Sequence, residues 1–371
     1  MPYTVSDERP DFVRKINLFV LFGGVSSEHE VSLMSAGSVI SNLDPEKYDI
    51  YPVGITKTGS WYLYQGPYDD IANGKWENHP ENLTFLLTPD RSSKGLVFEG
   101  DGLRPVRIDC IFPVLHGENG EDGTMQGLFE LCGIPYVGCG VRASADCMDK
   151  ERTKMVAASA GIKQAKWLTV MRHEFENDPQ GVAVKVEREF TYPVFVKPAN
   201  TGSSVGISKA KDREQLINAL KLAARYDNKI IIEEYIEGME IEISVLGDNQ
   251  PETSVCGRIL PSREFYSYEA KYIDGTSGLL IPADIPAAVS SEIALIAKRI
   301  FTMLGCEGLA RVDFFVRRGT YEVVFNEINT MPGFTCISMY PKLFEASGVP
   351  YPILLDRLVC LAVNRERKGR A

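Results

Sequence analysis

The chain reads as an α/β protein of two or three domains, on three features of its sequence. Two buried-strand runs, Ile16 to Phe22 and Ile108 to Leu115, each end in a glycine-rich turn that leads into a helix, the pattern of a βα unit in an open sheet. Later apolar runs pair across short polar turns instead, as antiparallel strands do. At 371 residues the chain exceeds what one ordinary core organises.

Composition narrows the classes of function. Hydrophobic residues at 44% and charged residues at 24% describe a soluble globular protein. Fifty acidic against forty basic side chains give a net charge of −10 with no Lys/Arg block, so nucleic acid is not an expected partner. A polyanionic substrate would need locally placed lysines and metal to overcome that average field. The eight cysteines form no CxxC pair and read as reduced core residues of a cytosolic protein. The N-terminal segment lacks a signal-type apolar run, and no stretch approaches the roughly 18 apolar residues of a membrane helix. A cytoplasmic protein with no membrane partner is expected.

The first βα unit turns at Gly23-Gly24 and passes Ser27, Glu28 and Glu30 into a helix from about Val31 to Leu43. Its glycines are not spaced as a dinucleotide fingerprint. Glu28 in such a turn can bind an ammonium group, although it and Glu30 equally suit the positive end of the next helix. Residues 48 to 103 hold short strands (Ile50 to Ile55, Trp61 to Tyr64, Thr84 to Leu87) and no chemical constellation.

The second unit delivers His116-Gly117 and Gly120-Glu121-Asp122-Gly123 at the C-terminal end of its strand, where open sheets place ligands. His116 is there either as a site residue or as a structural histidine. Asp122 can cap the helix that Gly133 ends. A new helix opens around Met148-Asp149-Lys150, capped by Asp149 or its neighbours, and marks the first domain boundary.

Next, Tyr192 to Pro198 is a strand that delivers Lys197 to the loop Asn200-Thr201-Gly202-Ser203-Ser204-Val205-Gly206. Gly and Ser supply unobstructed N–H and O–H donors, so the loop can fold over phosphates. It is not a Walker loop, since it contains no GK[ST]. An ordinary hairpin tip would explain its glycines but not the lysine beside it. Asp212 with Gln215 makes a capping box. The strand Ile230 to Ile236 carries Glu233, and Glu240 sits in the following turn. Beside a nucleotide these acids can take the adenine amino group and the ribose hydroxyls; otherwise they are solvated. The tyrosine-rich stretch from about Phe265 to Ala283 reads as a lid or as a packed surface loop.

Two strands then form a hairpin, Leu309 to Phe315 and Val324 to Asn329. Side-chain alternation puts Glu327 and Asn329 on one face, sets Asp313 roughly opposite Glu327, and gives Arg311 the face of Asp313. Asp313, Glu327 and Asn329 offer the oxygen ligands that Mg2+ prefers when it carries phosphate, unless they are surface acids of an edge hairpin. Pro332-Gly333 follows directly, and a glycine there lets a bare backbone N–H approach a ligand.

In this order, these motifs resemble the ATP-grasp enzymes, and within them the D-alanine–D-alanine ligases, over nearly the whole chain. The resemblance is carried by Gly23-Gly24 with Ser27-Glu28-His29-Glu30-Val31-Ser32, His116-Gly117 with Gly120-Glu121-Asp122-Gly123, Met148-Asp149-Lys150, Lys197-Pro198 with Gly202-Ser203-Ser204-Val205-Gly206, Tyr268-Glu269-Ala270-Lys271-Tyr272, Arg311-Val312-Asp313, and Glu327-Ile328-Asn329-Thr330-Met331-Pro332-Gly333.

It implies an N-terminal open α/β domain (1–147) that precedes two ATP-grasp α+β domains (148–237 and 238–371) clasping ATP. It implies ligation of two D-alanines through a D-alanyl phosphate, for peptidoglycan precursor synthesis. Lys150, Lys197, Ser203, Ser204 and Lys271 would serve ATP, with Glu233 at the adenine amine and Glu240 at the ribose. Asp313, Glu327 and Asn329 would hold two Mg2+ or Mn2+ ions, and a monovalent cation is compatible with the resemblance. Glu28 would hold the first substrate's ammonium, oriented by Ser203 and Tyr272 with His116 nearby. Arg311 and the Gly333 N–H would stabilise the oxyanion, and Ser338 with the Met339 backbone would grip the second carboxylate. A homodimer is implied.

Tyr272 and Met339 favour D-alanine as acceptor; relatives that use D-lactate or D-serine often differ at these places. The first domain, with its 48 to 103 insertion, also looks like that of some D-serine ligases. The alternatives are therefore a D-alanine–D-serine or D-lactate ligase and, from another class, a non-catalytic nucleotide-binding module.

Overall fold

A computed structural model describes residues 14–93, 96–98, 106–260, 278–335 and 337–369. The expected lid, with Lys271 and Tyr272, lies outside them.

Three sheets organise the described chain. The first holds β1 (Ile16–Gly23), β2 (Tyr48–Ile55), β3 (Trp61–Leu63), β4 (Leu83–Leu87), β5 (Leu96–Phe98) and β6 (Cys110–Pro113), in the order β5-β4-β3-β2-β1-β6. β1 is parallel to both β2 and β6, and its residues Leu18 to Phe22 are wholly buried, which is why it reads as an unbroken apolar run. The strands expected at Ile50–Ile55, Trp61–Tyr64 and Thr84–Leu87 are present as β2, β3 and β4, and from β3 onward the segment extends this sheet as antiparallel strands. Trp76 is buried against it, where Gly54 leaves room for the ring.

The second sheet holds β7 (Trp167–Met171), β8 (Val194–Pro198), β9 (Ser208–Ala210) and β10 (Lys229–Glu234), in the order β7-β10-β8-β9. Its core, with Val170, Val196 and Ile232, is closed by the helices Pro179–Glu189 and Arg213–Ala223. The second helix is capped as the sequence suggested, with Asp212 accepting from the Gln215 N–H at 2.8 Å.

The third sheet holds β11 (Gly238–Gly247), β12 (Glu252–Leu260), β13 (Gly278–Leu280), β14 (Gly308–Arg317) and β15 (Val323–Asn329), in the order β13-β12-β11-β14-β15. The helices Lys150–Ser159 and Ala287–Met303 share its core. The final helix, Tyr351–Gly369, turns back to the first sheet: Leu354, Leu355, Leu358 and Val359 are buried in one cluster with Leu18, Val20 and Val39. Asp356 fixes that closure by accepting from Lys47 Nζ at 2.9 Å and Tyr48 Oη at 2.6 Å.

Three local expectations are corrected. The first helix starts at His29, not Val31, with Glu28 in the N-cap position. Gly123 rather than Asp122 caps the helix Thr124–Cys132, because Asp122 instead accepts from the Asn119 and Thr124 N–H groups in the turn before it. Glu240 lies in β11 and not in a turn, since backbone pairing with Ile259 and Phe315 carries the strand through it. The seven described cysteines are free thiols, six of them buried. Among the described residues no single helix is long and apolar enough to cross a membrane.

Candidate active site

A cavity of about 450 Å3 opens where loops of all three sheets meet. It is lined by Glu28 and His116 from the first, Ser203 and Ser204 from the second, and Arg311, Glu327 and Asn329 from the third. Lys150, Gly333, Ser338 and Met339 complete the expected residues on its wall.

At one end the buried Glu28 carboxylate accepts a hydrogen bond from Ser203 Oγ, joining residues 175 apart in sequence. Ser203 and Ser204 both have positive φ, at 44° and 60°, a conformation a non-glycine residue holds only where its surroundings enforce it. Gly117 and Gly202 flank the carboxylate so closely that a side chain at either would collide with Glu28 Oε2. His116 bridges two parts of the chain: Nε2 lies 3.0 Å from Ser35 Oγ and Nδ1 3.0 Å from the Met331 carbonyl. Burial lowers its pKa, so it serves as a neutral hydrogen-bonding ring.

Glu121, which sequence reasoning named only as part of a motif, lines the same end. Its Oε1 accepts from the Gly117 N–H at 2.9 Å. Burial, then the nearby Glu28 charge, pushes its carboxyl up to about 8. Two carboxyl groups thus share one buried corner, which suits a ligand cation.

Across the cavity, Asp313 pairs with Glu327 in the β14–β15 register, as the sequence predicted, and Asn329 pairs with Arg311. Arg311 donates to both oxygens of Asp313 at 2.7 Å, and its Nε also lies 3.0 Å from Glu242 Oε2. Burial alone would lower the guanidinium's pKa; Asp313 and Glu242 more than reverse that, so the charge is fixed. Asn329 Nδ2 donates to Asp313 Oδ2 at 3.1 Å. Among the described residues no three His, Cys, Asp or Glu side chains gather as a metal site. The adjacent donors are two carboxylates and one amide, all hard oxygen ligands, and this set fits a Mg2+-type cation.

Lys150 Nζ donates to the Thr201 carbonyl at 2.7 Å, bringing the helix Lys150–Ser159 against the serine loop. Asp313, Lys197, Glu233 and Glu240 lie outside the cavity lining. Behind it, Glu233 is clamped by Lys197 Nζ at 2.6 Å and by Lys154 Nζ at 3.0 Å. Burial would raise the Glu233 carboxyl, but the two ammonium groups hold it down to about 2. Sequence reasoning missed Lys154: it lies one helical turn after Lys150, where it reads as an ordinary helix-surface lysine. At the far end, Ser338 Oγ accepts from the Thr335 N–H at 3.0 Å and sits where a side chain at Gly333 would strike it.

This arrangement can bind a cation at the acids Glu28 and Glu121 and an anion near Gly333 and Ser338, with a serine-rich loop suited to phosphate on the same wall. Known proteins resemble the chain in sequence and fold. The families described as D-ala D-ala ligase N-terminus and D-ala D-ala ligase C-terminus match residues 17–139 and 156–360. A D-alanine–D-alanine ligase of Caldicellulosiruptor bescii is 53% identical, covering 96% of this chain and 98% of its own. One of Acetivibrio thermocellus is 50% identical, with 95% and 96% covered. Among solved structures, the VanG D-Ala:D-Ser ligase of Enterococcus faecalis superposes with a TM-score of 0.85 at 40% identity, over 94% of this chain and all of that one. The D-alanine–D-alanine ligase of Coxiella burnetii gives 0.82 at 36%, with 96% of each chain covered. With two family matches that together span most of its length, and three sheets meeting at one cavity, this chain belongs to the D-alanine–D-alanine ligase family of ATP-grasp enzymes.

Proposed function

We propose that the chain joins two D-alanines into D-alanyl-D-alanine at the expense of ATP, as a step in making peptidoglycan precursors in the cytoplasm, and that it works as a homodimer. The observation that carries this is the single cavity whose wall brings together the Glu28–Ser203 pair, Arg311, which Asp313 holds from behind, and Ser338.

The first D-alanine's ammonium sits at Glu28, which Ser203 orients. Its carboxylate takes the γ-phosphoryl group of ATP, and the amine of the second D-alanine then attacks the acyl phosphate and expels phosphate. Lys150, Lys197 and Ser204 hold the nucleotide phosphates, Glu233 accepts from the adenine amine, and Glu240 binds the ribose. Carboxylate attack on phosphate brings negative charges together, so fixed cations such as Lys150 and Arg311 lower the barrier by neutralisation and alignment. Asp313, Glu327 and Asn329 would hold Mg2+, which when bound neutralises and aligns the phosphates. The fixed Arg311 charge and the Gly333 N–H stabilise the oxyanion of the attack. Ser338 and the Met339 backbone receive the acceptor's carboxylate. Lys271 and Tyr272 belong to the closing lid, which keeps water from the acyl phosphate.

The test is phosphate release from ATP with D-alanine, with products weighed by mass spectrometry. D-alanyl-D-alanine is expected, and Asp313→Ala should lower the rate by about a hundredfold or more. Unchanged turnover in that variant would sink the reading. The structural likeness to a D-Ala:D-Ser ligase favours one alternative, D-serine as acceptor. Equal D-alanine and D-serine in the same assay decide it by product mass.

A further inference from the structure

Among the described residues the basic side chains of the cavity wall are unevenly partnered, and the location of one of them points to a ligand. Three basic side chains line the wall: Lys150, Arg311 and Lys342. Arg311 is neutralised by Asp313 and Glu242, and Lys150 is turned to the Thr201 carbonyl. Lys342 is half-buried in the wall and makes no ion pair or side-chain hydrogen bond with any described residue. A cation placed in this way favours an anion supplied by the ligand.

The fold determines which end of the cavity this cation serves. Lys342 lies in the helix Met339–Ala346, whose N-cap is Ser338. Residues four apart share a face, about 6 Å along the axis. Lys342 therefore stands behind Ser338 on the cavity side. The opposite side of the helix cannot turn toward the ligand, because Tyr340, Leu343 and Phe344 are fully buried. It also packs so tightly on β12 that a side chain at Gly257 would strike Leu343. The acids Glu28 and Glu121 stand with His116 and Ser203, on other elements than Lys342, so one cavity wall presents both acids for a cation and a base for an anion.

We propose that Lys342 is a specificity residue for the acceptor: its ammonium pairs with the α-carboxylate of the second amino acid and selects acceptors that carry that charge. This inference rests on the ligase reading. The first substrate's carboxylate is consumed in the reaction, so the carboxylate that survives into the product is the acceptor's, and it is the one that needs a standing counter-charge. A carboxylate held at Ser338 and Lys342 would direct the acceptor's amine away from that helix, toward Arg311 and Gly333 where the attack takes place.

Lys342→Met keeps the length of the side chain and removes its charge, and Lys342→Arg restores a charge. Steady-state kinetics with D-alanine, and with D-alaninamide as an acceptor lacking the carboxylate, read the effect. The Met variant is expected to raise the acceptor KM about tenfold, the scale of one partly solvated charge pair, while the KM for ATP and for the first D-alanine stays within about twofold. Its preference for D-alanine over D-alaninamide should fall by a similar factor, and the Arg variant should recover most of both. A merely structural role would move all three KM values together and leave the acceptor preference intact, and that result overturns the proposal. So does a Met variant indistinguishable from the wild type. If the wild-type chain makes no D-alanyl product at all, the ligase reading falls first and takes this inference with it; if the wild type is active, only the role of Lys342 is at stake.

Discussion

Glu121 shows how far one buried side chain can set the behaviour of the site. A free glutamate ionises near 4.5, whereas in the fold this carboxyl keeps its proton up to about 8 because burial and the Glu28 charge disfavour the anion. The native state thus binds more protons than the unfolded chain between those values, and stability drops as pH rises through that window. His116, lowered by burial, acts in the opposite sense at more acid pH, so the clean comparison lies between about pH 6.5 and about pH 8. Over that range Glu121→Gln is expected to gain on the wild type in Tm by a few degrees. Parallel melting curves across the window would mean that Glu121 titrates normally. The sequence made Glu28 and Ser203 legible because each sits in a glycine-rich turn, and Arg311 and Asp313 because strand alternation sets them on one face opposite Glu327 and Asn329. It did not reveal what surrounds them: Glu242 reads as an alternating strand residue until β11 lies beside β14 in register and sets it against Arg311. Lys154 likewise gains meaning only when it meets Glu233, which comes from a different sheet.

At the scale of elements, the legible parts are those that local chemistry dictates. Asp149 and Asp212 cap their helices, and the β14–β15 hairpin pairs Asp313 with Glu327, because capping and alternation act over a few residues. In the stretch from residue 48 the strands were legible, as β2, β3 and β4, but their partners were not. Nothing local says that β2 lies parallel to β1 or that β3 and β4 extend the sheet, because those pairings are held by packing across it. Trp76 shows the device: it is fully buried, forms an edge contact with Phe22 at 5.0 Å between ring centroids, and covers Gly54 on β2. A methyl group at Gly54 would penetrate the Trp76 ring, so Gly54→Ala should cost about 1–3 kcal/mol through overpacking. The site lies beyond the other face of that sheet's loops, so thermal melting should fall while the KM for ATP holds. An unchanged melting temperature would mean that the ring has room to shift.

For the whole molecule, the question is which parts stand or fall together. The second sheet carries its own core, closed by its own helices. The first sheet does so on one face only, where Phe19, Val53, Phe85 and Phe129 cluster; its other face is completed by Leu354, Leu355, Leu358 and Val359 from the final helix, along with Leu309, Met331 and Phe334 from the far end of the chain. The same cluster therefore supports the strand that leads to Glu28 and the loop that carries Gly333, and His116 ties those regions again through Met331. Leu358→Ala opens a cavity in that shared core at a cost of about 2–5 kcal/mol. If the first sheet and the C-terminal helix form one cooperative unit, hydrogen exchange should speed up in β1 and in the final helix by a similar factor, while the amides of β8 and β10 keep their protection. Faster exchange confined to the final helix would show that it frays alone. Uniform loss that includes β8 and β10 would show that all three sheets unfold as one. The coupled outcome has a consequence for the site, since an injury in a helix that does not line the cavity would loosen the acids that receive the first substrate and the glycine that receives the oxyanion in the same step.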